Sequence, residues 1–542
     1  MNLSVTYSLF VLFIGLAPVG AAQPPQPFVC TSSASVVPIV RVEGLAEPVG
    51  DFQLTCTGGT PTAAGQRVPS ATFSLAFNTT LTSKVTARNQ LTEALLLIDE
   101  PNSPYGVQRP VLNCGQYGAP DNGPSGPGVC AIVGTGVPAQ TYDGTPNGYG
   151  PSGAFCNNSG GRPPSHGYGC GRPNVFQGRT GTPQNSRQAN AVTFLNVPVD
   201  APGAASRTFR FTNLRVDASA VGASSTFTLN QIQVSISVSG QASPFIANPV
   251  QVAGYVNRGL LFSPSGLSVA SNSVRVIQGF ASAWKAKNLA MAVGNNGVPG
   301  NATFGSLTIG GITYVNMWSY NGGTHYPADV AQNVPVTVYN TESLFQWQNN
   351  TINGPPVPNP PPGFGSIVTG PNQGTPLGSI GYGGLDTGIR SAGVADAGTR
   401  IGLRFNNASA SAQVTLPTVV DLIGQHFFNP KLVPVGVMVL THTDSNGAGP
   451  FHPYGLTPGF ANIPARSMAV YEVLYTDPFS LVYADIPLRL STGQSLAAAG
   501  VGVTVSFAPF SSNRGEHEDD NRDENARAPV PRFVATPAPV QP

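Results

Sequence analysis

Along much of the chain apolar and polar residues alternate, and the alternation predicts strands. Ile401, Leu403 and Phe405 share one face of RIGLRF, and Val501, Val503, Val505 and Phe507 share one face of VGVTVSF. Val433, Val435, Val437 and Val439 are expected to point one way, as are Ala469, Tyr471, Val473 and Tyr475. A period of two sends successive side chains to opposite faces, so each segment fits a strand with one buried face. Two segments change face midway. In RTFRFTNLRV the apolar positions pass from Phe209 and Phe211 to Leu214 and Val216. In TFTLNQIQVSISV they pass from Phe227 and Leu229 to Ile232, Val234, Ile236 and Val238. A β-bulge near Thr212–Asn213 and another near Asn230–Gln231 would restore the register. Helical periodicity is scarce. Its best window is Val276 to Met291, where Phe280, Ala283, Trp284 and Leu289 share a helical face, and a strand followed by a short turn fits as well.

The expected fold is all-β: two antiparallel β-sandwich domains, a long disulfide-stapled Gly/Pro-rich excursion and a disordered C-terminal tail. A first domain over residues 24–260 takes strands from SVVPIVRV, DFQLTC, ATFSLAF, EALLLID, AVTFLN and the two bulged segments. The excursion, residues 101–190, interrupts it and far exceeds the loop length of about 12–15 residues usual in compact domains. A second domain over 265–510 carries a Pro-rich insertion, 349–375, whose PPVPNPPPGF suits stiff polyproline II. In the tail, 511–542, residues 514–532 hold six acids and four arginines and cannot bury a core. PVPRF, with Arg532 and Phe533, has a second reading: an extended apolar segment that docks on a sheet edge or a partner.

Composition narrows the partners. Charged residues make up 9% of the 542 and the net charge is +1, so no nucleic-acid partner is expected. Gly 64 and Pro 52 are what many short turns between strands require. Residues 1–22 read as a signal peptide, with an apolar core at Leu9–Leu16 and cleavage near Ala22, although no Lys or Arg precedes the core. That core is shorter than the roughly 20 residues a membrane span takes, so no integral membrane segment is expected in the mature chain. A secreted location, extracellular or at the cell surface, follows. The six cysteines agree with it. Cys30, Cys56, Cys114, Cys130, Cys156 and Cys170 include no CxxC pair, which favours three disulfides over a metal site. Sequential pairing, 30–56, 114–130 and 156–170, closes the shortest loops.

Chemical signatures are sparse. GxSxG, HExxH and P-loop motifs do not occur; no catalytic residue, cofactor or metal is assigned, and an enzyme is not favoured. His442, Asp444 and His452 around THTDSNGAGPFHP suit either a His/Asp metal site or a polar turn in which Asp444 satisfies the backbone. EHEDDNRDE (516–524) reads as a solvated charge run in preference to a calcium site. Trp284, Trp318 and Trp347 are expected in the core or between domains. Aromatics of the excursion, Tyr105, Tyr117, Tyr142, Tyr149, Phe155, Tyr168 and Phe176, form a candidate contact surface for sugars or a neighbouring subunit. The alternative is that they plug the excursion onto its own domain.

Several segments together resemble a group of uncharacterised secreted, β-rich proteins of soil acidobacteria. They are ALLLIDEP (94–101), NVPVDAPGAASRTFRFTNLRV (196–216), TRIGLRFNN (399–407), YEVLYTDP (471–478), ADIPL (484–488) and PVPRF (529–533). The resemblance implies an exported bacterial β protein and brings no catalytic residues. Two functions are expected from different classes. One is a non-enzymatic structural or adhesive protein of the cell surface or extracellular matrix, which self-associates. The other is a carbohydrate-binding or carbohydrate-active (glycoside hydrolase-like) secreted protein that meets extracellular polysaccharide.

Overall fold

The computed structural model describes residues 27–34, 37–83, 91–100, 132–143, 174–180, 190–224, 228–264, 272–285, 306–309, 312–315, 398–425, 431–448, 452–476, 480–510 and 531–540. Residues 1–22, read above as a signal peptide, the insertion 349–375, most of the excursion and residues 511–530 lie outside them. Among the described residues the chain is all-β, with one 3-10 turn at Pro138–Gln140. No helix there is long and apolar enough to cross a membrane.

Thirteen strands precede Gly259. They are β1 (Val29–Ala34), β2 (Ile39–Arg41), β3 (Glu47–Pro48), β4 (Phe52–Gly58), β5 (Ser70–Phe77), β6 (Leu91–Ile98) and β7 (Val175–Thr180). Then come β8 (Ala191–Pro198), β9 (Gly203–Thr212), β10 (Arg215–Val216), β11 (Asn230–Gly240), β12 (Phe245–Ala247) and β13 (Val250–Asn257). Eleven of them form one sheet in the order β12-β1-β4-β9-β6-β7-β8-β5-β11-β13-β2, and β3 pairs with β10 apart. Pairing is antiparallel except at the rims, where β12 and β2 run parallel to their neighbours. The sheet curls into a near-barrel in which β1 and β13, each next to a terminal strand, approach one another. The Gln251 side-chain amide of β13 donates to the Ser32 carbonyl (3.2 Å) and hydroxyl (3.0 Å) of β1, and that hydroxyl donates to the Asn248 carbonyl. Inside, Phe52, Phe73, Phe194, Phe209 and Phe211 pack with ring centroids 5.2–6.1 Å apart. Such pairs add about 0.5–1.5 kcal/mol each beyond area burial. Cys30 and Cys56 stand opposite one another on β1 and β4 and form the expected disulfide.

One face change occurs by a break between strands; the other is not seen, since Phe227 lies outside the described residues and β11 keeps Ile232, Val234 and Ile236 on one buried face without a bulge of its own. After Phe211, Asn213 takes a left-handed φ of 59° and ends β9, so Leu214 and Val216 reach the core from a new strand instead of across a bulge. On β11 the register slips at Ile232–Gln233, opposite Gly254 and Val252, with Ala253 the extra residue. The bulge therefore lies on the neighbouring strand. The excursion is also more than a loop: its last part is β7, inserted between β6 and β8.

The second group follows the Arg258–Gly259 connection. It comprises β14 (Leu260–Ser263), β15 (Ser273–Gln278), β16 (Ser306–Ile309), β17 (Ile312–Val315), β18 (Arg400–Asn406), β19 (Gln413–Pro417) and β20 (Val419–Gln425). It continues with β21 (Leu432–Thr441), β22 (Phe460–Pro464), β23 (Ala469–Thr476), β24 (Val482–Pro487), β25 (Arg489–Leu490) and β26 (Gly502–Ala508). Eight strands form a sheet in the order β14-β15-β24-β20-β21-β23-β18-β26; β22-β19-β25 form a second, and β16-β17 a separate hairpin. Val414, Leu416, Ile463 and Leu490 of the three-stranded sheet share one core with Leu403, Leu422 and Tyr471 of the larger. The window after Val276 is a strand and a turn, since β15 ends at Gln278 and Trp284 is fully buried just beyond.

Two expectations fail here. The valines of β21 do not face one way. Val435 is an extra residue of β21 against β20, whereas the slip between Val437 and Met438 puts the extra residue, Leu474, on β23; the one bulge on β21 brings Val435, Met438 and Leu440 into the core and leaves Val437 and Val439 buried on the other face. Each extra residue flips the side chains that follow. The tail, expected to be disordered throughout, is ordered over 531–540. Phe533 is fully buried and stacks on Phe507 with centroids 4.5 Å apart, a burial worth about 2–3 kcal/mol.

Candidate functional site

Residues 531–540, here called the strap, meet both sheets at one junction. Arg41 ends β2 inside it, fully buried. Its guanidinium grips the Glu47 carboxylate, with Nη2 to Oε1 at 2.6 Å and Nε to both oxygens at 2.9 and 3.0 Å. Its Nη1 reaches across to the Ala283 carbonyl (3.1 Å) and the Thr399 hydroxyl (3.0 Å) of the second group. The guanidinium carbon lies 4.8 Å from the Phe533 ring centroid, a cation–π contact worth about 2 kcal/mol when desolvated. One arginine thus ties both sheets and the strap.

Glu43 completes the junction. Its carboxylate accepts the Gly259 N–H at 3.0 Å, and its backbone carbonyl accepts the Val534 N–H at 3.0 Å. Burial pushes its carboxyl above the usual carboxylate range, with Glu47 adding to the rise and the Gly259 N–H and Arg41 opposing it. Gly259 has to be glycine, because a Cβ there would overlap the Arg41 side chain. The Leu45 N–H donates to the Arg532 carbonyl at 2.9 Å, and the Trp284 indole N–H donates to the Gly259 carbonyl at 3.2 Å.

The strap then closes the eight-stranded sheet. β26 and β14 are its terminal strands. The Ala538 N–H donates to the Val505 carbonyl of β26 at 2.7 Å, and the Phe262 N–H of β14 donates to the Pro539 carbonyl at 3.2 Å. Phe533 pairs with Phe510, and Val540 with Phe262. Of the two sequence readings of PVPRF, edge docking is the one realised, and the docked edge belongs to its own chain.

Two more buried arginines organise the first sheet. Arg210 binds Glu100 at 2.8 Å and Asp51 at 3.1 Å; burial pushes the Asp51 carboxyl up, against the pull of Arg210. Arg207 lies 3.5 Å from Asp99 and 4.4 Å from the Tyr142 ring centroid. Asp99 and Glu100, at the mouth of the excursion, hold left-handed φ values of 55° and 49°. Such conformations are costly for non-glycine residues and persist where surroundings over-determine them, which these arginines do. In the second sheet Arg400 and Glu472 face each other across β18 and β23 and bond at 2.8 Å, both buried. Removing one partner of a buried pair costs more than the pair contributes, so these groups select a geometry more than they add stability.

Of the candidate contact aromatics, Tyr142 and Phe176 are buried in the first core, which corrects their assignment to a contact surface. The Tyr142 hydroxyl donates to the Pro198 carbonyl at 2.7 Å and accepts the Asp200 N–H at 3.0 Å. Burial raises its pKa. These two rings follow the alternative, plugging the excursion onto its own domain. Tyr105, Tyr117, Tyr149, Phe155 and Tyr168 lie outside the described residues, as do Cys114, Cys130, Cys156, Cys170, Trp318 and Trp347.

The His442 loop adopts the polar turn. The Asp444 carboxylate accepts the Asn446 and Ala448 N–H groups at 2.8 and 2.9 Å, and Arg400 holds the loop through the Gly447 carbonyl at 2.9 Å. His442 stacks on Tyr454 with centroids 3.6 Å apart and lies 4.7 Å from His452. Desolvation and the neighbouring His452 lower its pKa. No group of three or more metal-binding side chains occurs among the described residues.

Arg41, Glu43, Glu47, Arg207, Arg210, Arg400 and Glu472 escaped the sequence reading. The signal available was rarity: in a chain with 9% charge, IVRVEGLAEP, RTFRF, TRIG and YEVLY set charges inside apolar alternation. No family model, curated protein or solved structure matches the chain.

Proposed function

We propose that this is an exported, non-enzymatic structural or adhesive protein of the cell surface or extracellular matrix, which works by associating with copies of itself. The observation that carries the reading is where exposed apolar surface lies. Phe245 and Phe460, 69% and 65% exposed, are the two most exposed large hydrophobics among the described residues. Each opens an edge strand, β12 of the first sheet and β22 of the three-stranded sheet. Unpaired edges with large apolar side chains favour strand-to-strand association, and two dissimilar edges favour head-to-tail contacts that extend instead of closing. The buried carboxylates of Glu43, Glu47, Asp51 and Glu472 are engaged by arginines or backbone N–H groups, an arrangement suited to scaffolding. The apolar segment before Ala22 and the likeness to secreted acidobacterial proteins support the location.

The test is negative-stain microscopy with size-exclusion chromatography of the native protein. Filaments, sheets or large particles are expected, with Phe245→Lys and Phe460→Lys together shifting the protein to monomer. A clean monomer at every concentration overturns self-assembly. Glycan binding is the second reading, favoured by the exposed ring stack of Tyr454, His442 and His452; a glycan array probed with Tyr454→Ala separates it.

A further inference from the structure

We infer that the strap is an exchangeable strand: the groove between β14 and β26 accepts residues 531–540 of a second copy, a link that forms once copies are crowded through their β12 and β22 edges. This rests on the structural reading above. Three features of the strap carry it. First, its hydrogen bonds to the body, from Phe533 to the Pro509 carbonyl, Val534 to Glu43 and Ala538 to Val505, all end on residues before 511. The same contacts therefore form whichever copy supplies the strap. Second, residues 511–530, which join strap to body, number twenty and are mostly charged or polar. Extended, they span about 66 Å, several times the radius of gyration of about 16 Å expected for a unit of some 200 residues. That length serves the parallel pairing of Phe510 with Phe533, since parallel neighbours need a long crossover, and it equally reaches an abutting copy. Third, the groove does not stay empty without loss: vacated, it would leave two terminal strands and the Phe507 ring uncovered.

Since contacts within one chain and between chains are alike, concentration decides between them. A tether of this kind presents the strap at an effective concentration in the mM range. Dilute protein should therefore close on itself, and copies crowded to mM levels at a surface or in a matrix should exchange.

The experiment mixes two singly substituted full-length chains, Val505→Cys and Ala538→Cys, under mild oxidation, beside the parent protein treated alike. Exchange predicts a disulfide-linked two-chain product that grows as concentration rises from µM towards mM and is absent from the parent. No such product, while the Val505→Cys/Ala538→Cys double variant closes within itself, overturns the inference. Should that pair fail to close, a fluorescent peptide of residues 529–540 is incubated with the intact protein. Stable incorporation, lost on Phe533→Ala in the peptide, supports exchange, and no incorporation overturns it. Large particles without interchain trapping would defeat exchange and leave the structural reading standing; monomers throughout would defeat both.

Discussion

The two large sheets close in different ways. The first closes through its own strands: Gln251 of β13 reaches Ser32 of β1 across the seam, and a disulfide ties β1 to β4. The second leaves β14 and β26 apart and closes them with residues 531–540 from the far end of the chain. A sheet closed by adjacent strands completes itself once its own strands pair. A sheet closed by a separate segment depends on a strand that can leave without breaking the sheet's own ladder. The difference makes the first closure a fixed feature and the second a removable one.

The sharpest way to break this contrast is Phe533→Ala. Loss of a buried phenylalanine costs about 3–5 kcal/mol, and hydrogen exchange should show β14 and β26 opening while β4 and β9 keep their protection. Equal loss of protection in both sheets would refute separate closure. Next comes the disulfide. Cys30→Ala with Cys56→Ala removes a link of sequence separation 26, worth about 3 kcal/mol by loop entropy. Urea unfolding should lower the stability of the first sheet and leave protection of β14 and β26 unchanged.

The smallest effect concerns the junction itself. Burial raises the folded-state pKa of Glu43 above its ordinary 4.5. Its favourable contribution is therefore complete below that value and fades as pH rises through the raised one. Glu43→Gln keeps an oxygen for the Gly259 N–H and removes the charge. Melting curves should show the variant gaining on the parent as pH rises from 4 to 7; a difference independent of pH would place the charge outside the energetics of the junction.

Much of the fold was legible because period-two patterning is a local property. Ile401, Leu403 and Phe405 face the core as their alternation requires, and so do Phe209 and Phe211. The valines of β21 were misread because a register slip is set by the partner strand, which the local pattern does not contain. Tyr142 and Phe176 were misplaced for a related reason. A Gly/Pro-rich surrounding marks a loop, yet β7 enters the middle of the first sheet by pairing with β6, far away in sequence, as well as with β8. The site was the least legible part. Arg41, Glu47, Thr399 and Phe533 are separated by up to 492 residues in numbering, and no spacing rule joins them.

By itself, the sequence determined the all-β class, most strand positions and the low charge that leaves few ions to place, and it favoured the Cys30–Cys56 pairing. Each follows from periodicity, composition or short-range loop closure. Tertiary structure alone decided that several of those charges, Arg41, Glu47, Arg210, Arg400 and Glu472 among them, are buried, that the excursion contributes a central strand, and that residues 531–540 close the second sheet. These outcomes depend on which distant edges are left unpaired once the strands have assembled, and an unpaired edge exists only in three dimensions.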